Sequence, residues 1–233
     1  MRIKLLLIRH SKSCANLIRE YGSRQRHTHK RKAIFAASQK VQDPGLTKIG
    51  RRMAESYGPA LRAKAEAAGF DLDLDTVTIG SSALRRAKET AALLFPAKGQ
   101  EKDQHVVFPH LTEHGRIPEN TPKRHAHTRP DWNAFLRHLR VDRATSEQAE
   151  AQFIVVGHGS YLRSVWQELT GRPWAAFHNL DAFVIEGDLD VRGRLHVDRT
   201  ERIPYTGIAP KALAGDQCVL AKRCTRKIKH RNR

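Results

Sequence analysis

The chain begins with an apolar segment that ends in two basic residues, at positions 3–10 (IKLLLIRH). The apolar part is short, rich in Leu and Ile and interrupted only by Lys4, which is typical of a strand buried on both faces. It is too short for the apolar region of a signal peptide and far short of the roughly 20 residues that span a bilayer. We therefore predict a buried first strand with Arg9 and His10 at its carboxyl end.

Strands and helices alternate along the rest of the chain. Further short strands are predicted at residues 75–80, 106–108, 153–156, 182–185 and 195–197. Helical patterns occupy residues 11–21, 46–61, 83–94, 132–139 and 161–169. This alternation predicts an α/β fold with three α/β/α layers, a mostly parallel central sheet and helices on both faces.

Basic and polar side chains follow three of the predicted strands. They are Arg9 and His10 after the first strand, Arg86 after the second, and His158 after a later one. Ligands of open α/β sheets bind beyond the carboxyl ends of the strands. Each residue alone is commonly structural, but together the two histidines and two arginines form a set of donors suited to a phosphate group.

Several short motifs occur in a fixed order. They are residues 7–16 (LIRHSKSCAN), 43–50 (DPGLTKIG), 82–91 (SALRRAKETA), 111–113 (LTE) and 155–159 (VVGHG), with Asn179 as a late asparagine. In this order they resemble the motifs of the histidine phosphatase superfamily, the phosphoglycerate-mutase-like proteins. The resemblance covers roughly residues 3–197, and only the ordered set is specific.

The resemblance implies a role for each matched residue. His10 is the nucleophile that becomes phosphohistidine, and Glu113 protonates the leaving oxygen before accepting a proton from water. The phosphoryl oxygens are held by Arg9, Arg86, His158, Asn16 and the backbone N–H of Gly159. Two fixed arginines can stabilise these oxygens without a metal, so no metal and no cofactor is expected.

Two details of the motifs affect these assignments. We choose Arg86 over Arg85 as the phosphate ligand because Arg86 directly precedes Ala87, as in the family motif. Ser11 stands where the family has glycine, which lets the backbone approach phosphate closely. To attack while neutral, His10 should donate from its other ring nitrogen to a backbone carbonyl.

The segment between Glu113 and His158 is short, and this favours the phosphatase branch of the family. Residues 113–158 contain a proline-rich loop and one helix, and no counterpart of the mutase rim motifs. We therefore predict a phosphatase with a phosphorylated small molecule or phosphoprotein as substrate. A phosphoglycerate-type mutase is an alternative, and a catalytically weak member that acts as a binding or regulatory module is another.

The positive charge is concentrated in two segments. The net charge is +18, and most of the excess lies in residues 19–42 and in the last twelve residues, 222–233. We predict a domain at residues 1–200 with a basic, mobile, loop-like insertion at about 19–42, followed by a partly disordered basic tail at 201–233. The insertion could recognise a multiply charged substrate. The tail could contact a polyanion or nucleic acid, or act as a nuclear address signal.

Cysteines are few and not arranged in CxxC pairs. The chain has only Cys14, Cys218 and Cys224, which predicts reduced thiols rather than a disulfide framework. Together with the absence of a signal-like or membrane-spanning run, this predicts a cytoplasmic protein.

Overall fold

A computed structural model describes residues 1–24, 26–72, 77–96, 105–115, 117–123, 128–143, 150–174 and 177–207. The helices within these ranges are α1 Cys14–Ser23, α2 Thr28–Gln39, α3 Lys48–Ala67, α4 Arg85–Leu94, α5 Trp132–Arg143 and α6 Gly159–Thr170. The strands are β1 Arg2–Arg9, β2 Val77–Ser81, β3 Val106–Val107, β4 Glu150–Gly157, β5 Ala182–Leu189 and β6 Leu195–Ile203. Two short 3-10 turns lie at Pro109–Leu111 and Pro118–Asn120.

The strands form one mixed sheet in the order β3-β2-β4-β1-β5-β6. The first four strands of this order are mutually parallel, whereas β5 runs antiparallel to β1 and β6 antiparallel to β5. The predicted α/β fold with a mostly parallel sheet is confirmed. The antiparallel pair at one edge extends β5 and β6 well beyond the short closing strands predicted from the sequence.

The first strand lies in the middle of the sheet and is covered on both faces. Leu5 and Leu7 point to one face, where they pack with α5 and α6. Leu6 and Ile8 point to the other face, where they pack with α3 and α4. None of the four exposes any surface. Because alternate strand residues face opposite sides, the stretch that is covered on both sides, residues 5–8, is apolar at every position.

The loop after β1 packs closely against the start of α3. Thr47 caps α3 by accepting a hydrogen bond from the Gly50 N–H at 2.9 Å, and its own N–H donates to the Lys12 carbonyl at 3.0 Å. A Cβ atom at Gly50 would lie 2.0 Å from that same carbonyl oxygen, so only glycine permits the approach. The motif at 43–50 therefore seats the loop that contains His10.

The basic insertion was wrongly predicted to be loop-like. Helix α1 continues to Ser23, and α2 occupies Thr28–Gln39. Helix α2 buries only Ile34 and Ser38, and Ile34 joins a small cluster with Ile18 and Val41. With a single buried apolar residue, the helix shows almost no hydrophobic periodicity, which is why the sequence pattern missed it.

The carboxyl-terminal boundary differs from the prediction. Strand β6 continues to Ile203, beyond the boundary placed at residue 200, and the Tyr205 ring packs edge-on against Tyr57 at 4.7 Å. The rest of the predicted basic tail, residues 208–233, lies outside the described residues.

The reduced state predicted for the cysteines is wrong for Cys14, which is disulfide-bonded. Sparse cysteines without a CxxC pair gave no signal for this bond. Both other cysteines lie outside the described residues. None of the described helices combines the length and the apolar character that crossing a membrane requires.

Candidate active site

Three adjacent parallel strands bring the predicted residues together. Strands β2, β4 and β1 are neighbours, so the segments that follow their carboxyl ends meet at one edge of the sheet. The His10 N–H donates to the Gly157 carbonyl at 3.0 Å, which joins the ends of β1 and β4. The rings of His10 and His158 have centroids 5.1 Å apart. Two histidines that are far apart in the sequence are therefore side by side.

A cavity of about 490 Å³ opens at this edge. Its lining includes every predicted site residue except His158: Arg9, His10, Asn16, Arg86, Glu113 and Gly159. His158 lies directly behind this lining and is fully buried. We call Arg9, His10, Arg86 and His158 the floor of the site. The residues Arg19, Phe35, Gln39 and Ile117, which also line the cavity, are its rim.

His10 is held in a defined position and tautomer. Its Nδ1 lies 2.7 Å from the Ser11 carbonyl oxygen, the contact expected from the sequence. Since a carbonyl only accepts, Nδ1 carries the proton and Nε2 keeps its lone pair. Burial, followed by the charges of Arg86 and Arg9, lowers the His10 pKa well below its usual value. His10 is therefore neutral at pH 7.

The carboxyl end of β1 is held by hydrogen bonds to the loop that precedes β5. The Asn179 side-chain amide donates to the His10 carbonyl at 2.8 Å. The Arg9 N–H donates to the Asp181 carbonyl at 2.9 Å, and the Leu180 N–H donates to the Arg9 carbonyl at 3.1 Å. Leu180 has a φ of 68°, a conformation that costs free energy for leucine. The strained backbone of Leu180 therefore lies next to the residues that position His10.

His158 is buried and contacts the serine that follows β2. Its Nε2 lies 2.6 Å from the Ser82 hydroxyl oxygen. That oxygen also accepts a hydrogen bond from the Leu84 N–H at 3.3 Å. The His158 Nδ1 is buried and has no hydrogen-bond partner among the described residues. Burial, followed by the charges of Arg86 and His10, lowers the His158 pKa well below its usual value.

Arg86 is a buried cation with a fixed guanidinium. It is 2% exposed, and its Nη1 donates to the Glu119 carbonyl at 2.8 Å. Its Nη2 donates to the Asn120 side-chain oxygen at 3.1 Å. These acceptors belong to the turn Pro118–Asn120 and use two of the five N–H groups of the guanidinium. Arg85, in contrast, is exposed and paired with Glu89, which supports the choice of Arg86.

Arg9 lies against the start of α6. Its Nη1 donates to the Phe177 carbonyl, while its Nε is buried without a partner among the described residues. A Cβ at Gly159 would lie 2.6 Å from that Nε, so glycine is needed for the guanidinium to fit. No side chain caps α6, whose first residues, Gly159 and Ser160, line the cavity. The free N–H groups of a helix start favour an anion.

Two carboxylates line the cavity, and they differ in their partners. Glu113 is half-buried, and its Oε1 accepts a hydrogen bond from the His114 N–H at 3.2 Å. Glu119 is 3% exposed, and its side chain forms an ion pair with Arg19. The sequence pattern identified Glu113 but not Glu119.

Ser11 and Asn16 have mainly structural contacts. The Ser11 hydroxyl donates to the Gly50 carbonyl at 2.7 Å, and its N–H donates to the Thr90 hydroxyl at 3.0 Å, so Ser11 points away from the cavity. Ser13 caps α1, and the Asn16 side-chain oxygen accepts a hydrogen bond from the Ser13 N–H at 3.0 Å. The amide nitrogen of Asn16 is the group that remains for a ligand.

No motif in the sequence marks most of the rim or the turn that orients Arg86. Phe35 and Gln39 come from α2, where hydrophobic periodicity is nearly absent, and Arg19 comes from α1. Asn120 carries no motif, and only its position in a proline-rich loop near Glu113 could have drawn attention to it. Arg163 also lines the cavity, one helical turn after the recognised Gly159. Within the described ranges, no group of three or more metal-ligating side chains is present.

The chain matches no protein-family model and no curated protein sequence. Its structure is similar to an Escherichia coli protein proposed to be an alpha-ribazole-5′-P phosphatase, with 15% identity, a TM-score of 0.50 and coverage of 90% of this chain and 100% of that one. It is also similar to mycobacterial hydrolase 2, with 16% identity, a TM-score of 0.50 and coverage of 97% and 98%. The chain shares the α/β fold of these two proteins. A likeness at this level of identity shows the fold alone.

The cavity lies where the carboxyl ends of three parallel strands meet. Its floor is formed at the carboxyl ends of β1, β2 and β4, and its rim comes from α1, α2 and the loop before α5. The protein histidine phosphatase SixA, solved with tungstate, is a further similar structure, with 16% identity, a TM-score of 0.48 and coverage of 85% and 96%.

Proposed function

We propose that this chain is a metal-independent phosphomonoester hydrolase that acts through a phosphohistidine on His10. The observation that carries the proposal is the pairing of two neutral, buried histidines with the buried Arg86 and the partly buried Arg9 at the bottom of one cavity. Neutral histidine supplies a nucleophile, and arginine supplies charge for the phosphoryl oxygens. The cavity has a volume typical of small-molecule sites, which favours a phosphorylated small molecule as substrate.

In the first step, the Nε2 lone pair of His10 attacks phosphorus. The N–P bond forms as the bond between phosphorus and the ester oxygen breaks. Because the Ser11 carbonyl holds the Nδ1 proton, Nε2 is available without prior proton transfer. The same hydrogen bond stabilises the positive charge that the ring gains when it is phosphorylated.

Donors around the floor hold the transferred group. Arg9 and Arg86 supply the positive charge, and the free N–H of Gly159 at the start of α6 adds a backbone donor. We infer that the Ser82 hydroxyl donates its hydrogen bond to the His158 Nε2. The ring proton of His158 is then on Nδ1, which has no partner among the described residues. His158 then donates a hydrogen bond although it is neutral.

Glu113 supplies the proton for the leaving oxygen. In the second step the resulting carboxylate takes a proton from water, and the hydroxide attacks phosphorus and releases His10. Glu119 is less suited to this role because its side chain is ion-paired with Arg19. We therefore assign the acid and base to Glu113.

A single-turnover assay with 4-nitrophenyl phosphate tests the proposal. Wild type should release 4-nitrophenol rapidly and form an acid-labile, alkali-stable phosphoenzyme. The His10→Ala variant should do neither, while His196→Ala, which removes an exposed histidine, should match wild type. Equal rates for wild type and His10→Ala would refute the nucleophile. A rate that falls on addition of a chelator would refute the metal-independent mechanism.

A further inference from the structure

The rim contains one aromatic side chain that the proposed mechanism does not use. Phe35 on α2 is 50% exposed and lines the cavity. The other large apolar side chains exposed in the described part of the chain lie elsewhere: Met1, Tyr21, Val106 and Val191. An exposed phenyl ring beside a polar, cationic floor needs an explanation.

Helix α2 has a defined orientation over the site. Ile34 and Ser38 are buried on its inner face, and a Cβ at Gly22 of α1 would lie 2.9 Å from the Ile34 side chain, so the two helices are in close contact. Phe35 and Gln39 are four residues apart, so they lie on one face of the helix, and both line the cavity.

None of the charged residues of α2 lines the cavity. Lys30, Arg31 and Lys32 are absent from the cavity lining. Helix α2 therefore presents an uncharged wall to the cavity, although Arg19 on α1 adds a charged side chain from the same insertion. The expectation of a multiply charged substrate thus rests on Arg19 and not on the basic residues of α2.

The phenyl ring is fixed next to the floor by a neighbouring cation. The Arg19 guanidinium lies 5.5 Å from the Phe35 ring centre and is itself ion-paired with the buried Glu119. Ile117 adds a second apolar side chain to the same rim. A phosphate ester whose phosphoryl group sits on the floor has this wall within the same cavity as its organic part.

We propose that the rim is a subsite for a planar ring in the organic part of the substrate, with Phe35 as the residue that determines specificity. The inference rests on the proposed phosphatase function and names the substrate class of that same site. Packing of two aromatic rings changes affinity by about threefold to tenfold. That factor is the expected selectivity for a ring.

The test compares benzyl phosphate with propyl phosphate as substrates. Both are primary alkyl esters, so their leaving groups are similar and the ring is the main difference. Phe35→Ala should lower kcat/KM for benzyl phosphate by about threefold to tenfold, mainly through KM, and change propyl phosphate by less than about twofold. Phe35→Tyr, which keeps the ring, should retain the wild-type preference.

A matched control lies on the same helix. Lys32 is exposed and absent from the cavity lining, so Lys32→Ala should alter neither substrate. Equal losses for both esters in Phe35→Ala would mean that Phe35 acts through Arg19 rather than on the ring. That result, or no loss for either ester, would overturn the subsite.

A binding measurement can test the subsite independently of the proposed hydrolase activity. Calorimetry with benzylphosphonate and propylphosphonate requires no turnover. If wild type forms no phosphoenzyme but binds benzylphosphonate more tightly than propylphosphonate, and Phe35→Ala loses the difference, the subsite stands and the hydrolase proposal fails. If the two phosphonates bind equally, or neither binds, the subsite is refuted whatever the catalytic result.

Discussion

The floor and the rim of one cavity are built by different means. The floor side chains follow the strand ends, are buried except for the partly buried Arg9, and are oriented by backbone carbonyls and a buried serine hydroxyl. The rim side chains come from two helices and a loop and are partly exposed, with Arg19 held by a single ion pair. Groups that perform chemistry must be fixed, whereas groups that contact the variable part of a substrate need only be nearby. We expect mutations in the floor to change the rate and mutations in the rim to change selectivity.

The largest effect should follow removal of the nucleophile. His10→Ala should lower the single-turnover rate by at least about a thousandfold, because no other group can form the covalent intermediate. Rapid-quench measurement of product and of phosphoenzyme checks this. A modest loss would place His10 with the ligands of the phosphoryl group and would break the distinction between floor and rim.

A smaller loss is expected for one of the two floor arginines. Arg86→Ala should lower kcat by about 10²–10³-fold, the usual consequence of removing one donor to a developing oxyanion. Arg85→Ala is the matched control, since Arg85 is exposed and pairs with Glu89; it should leave kcat within about twofold. Steady-state kinetics on both variants decide between the two adjacent arginines. Comparable losses would contradict the assignment.

An intermediate loss of kcat is expected when the hydrogen bond that sets the tautomer of His158 is removed. Ser82→Ala removes the hydroxyl 2.6 Å from Nε2 and should lower kcat by about 10–100-fold, with little change in KM, since misdirecting a histidine proton weakens its donation. Ser81→Ala deletes the neighbouring hydroxyl, which donates to the Ser82 carbonyl, and is the control. Nitrogen-15 NMR of the His158 ring in both variants reports the tautomer. An unchanged tautomer in Ser82→Ala would refute this role.

The smallest effect concerns stability. An unfolded histidine binds a proton at a pKa of about 6.5, whereas burial keeps the pKa of His10 and of His158 well below that value. The unfolded state therefore binds more protons below pH 6.5, and stability is lost as the pH falls. The expected loss is up to about 1.4 kcal/mol per pH unit for each histidine.

Urea unfolding at several pH values between 5 and 8 measures this dependence. His158→Gln should reduce the slope below pH 6.5, and His196→Gln, at an exposed position, should not. If His158→Gln leaves the slope unchanged, the burial of His158 does not control its protonation.

The same contrast explains what the sequence could predict. The floor residues follow buried strands, and such strands have a pattern that is readable from residue types alone, as at residues 3–8. The positions of Arg9, His10 and His158 followed from that pattern, and their proposed roles from the resemblance. Phe35 and Gln39 escaped prediction as rim residues because α2 buries only Ile34 and Ser38. The contact of Asn120 with Arg86 joins residues 34 positions apart and depends on a turn that no motif marks.

The central position of β1 also has a consequence for how the chain is made. This first strand pairs with β4 and β5, whose residues lie at 150–157 and 182–189. During synthesis, at about 5–20 residues per second, the most apolar segment of the sheet must therefore wait on the order of ten seconds or more for its partners to leave the ribosome. Until then a strand meant for the interior is exposed, and contacts so distant in sequence also fold slowly. The nascent chain is thus a natural client for chaperones that bind short apolar peptides.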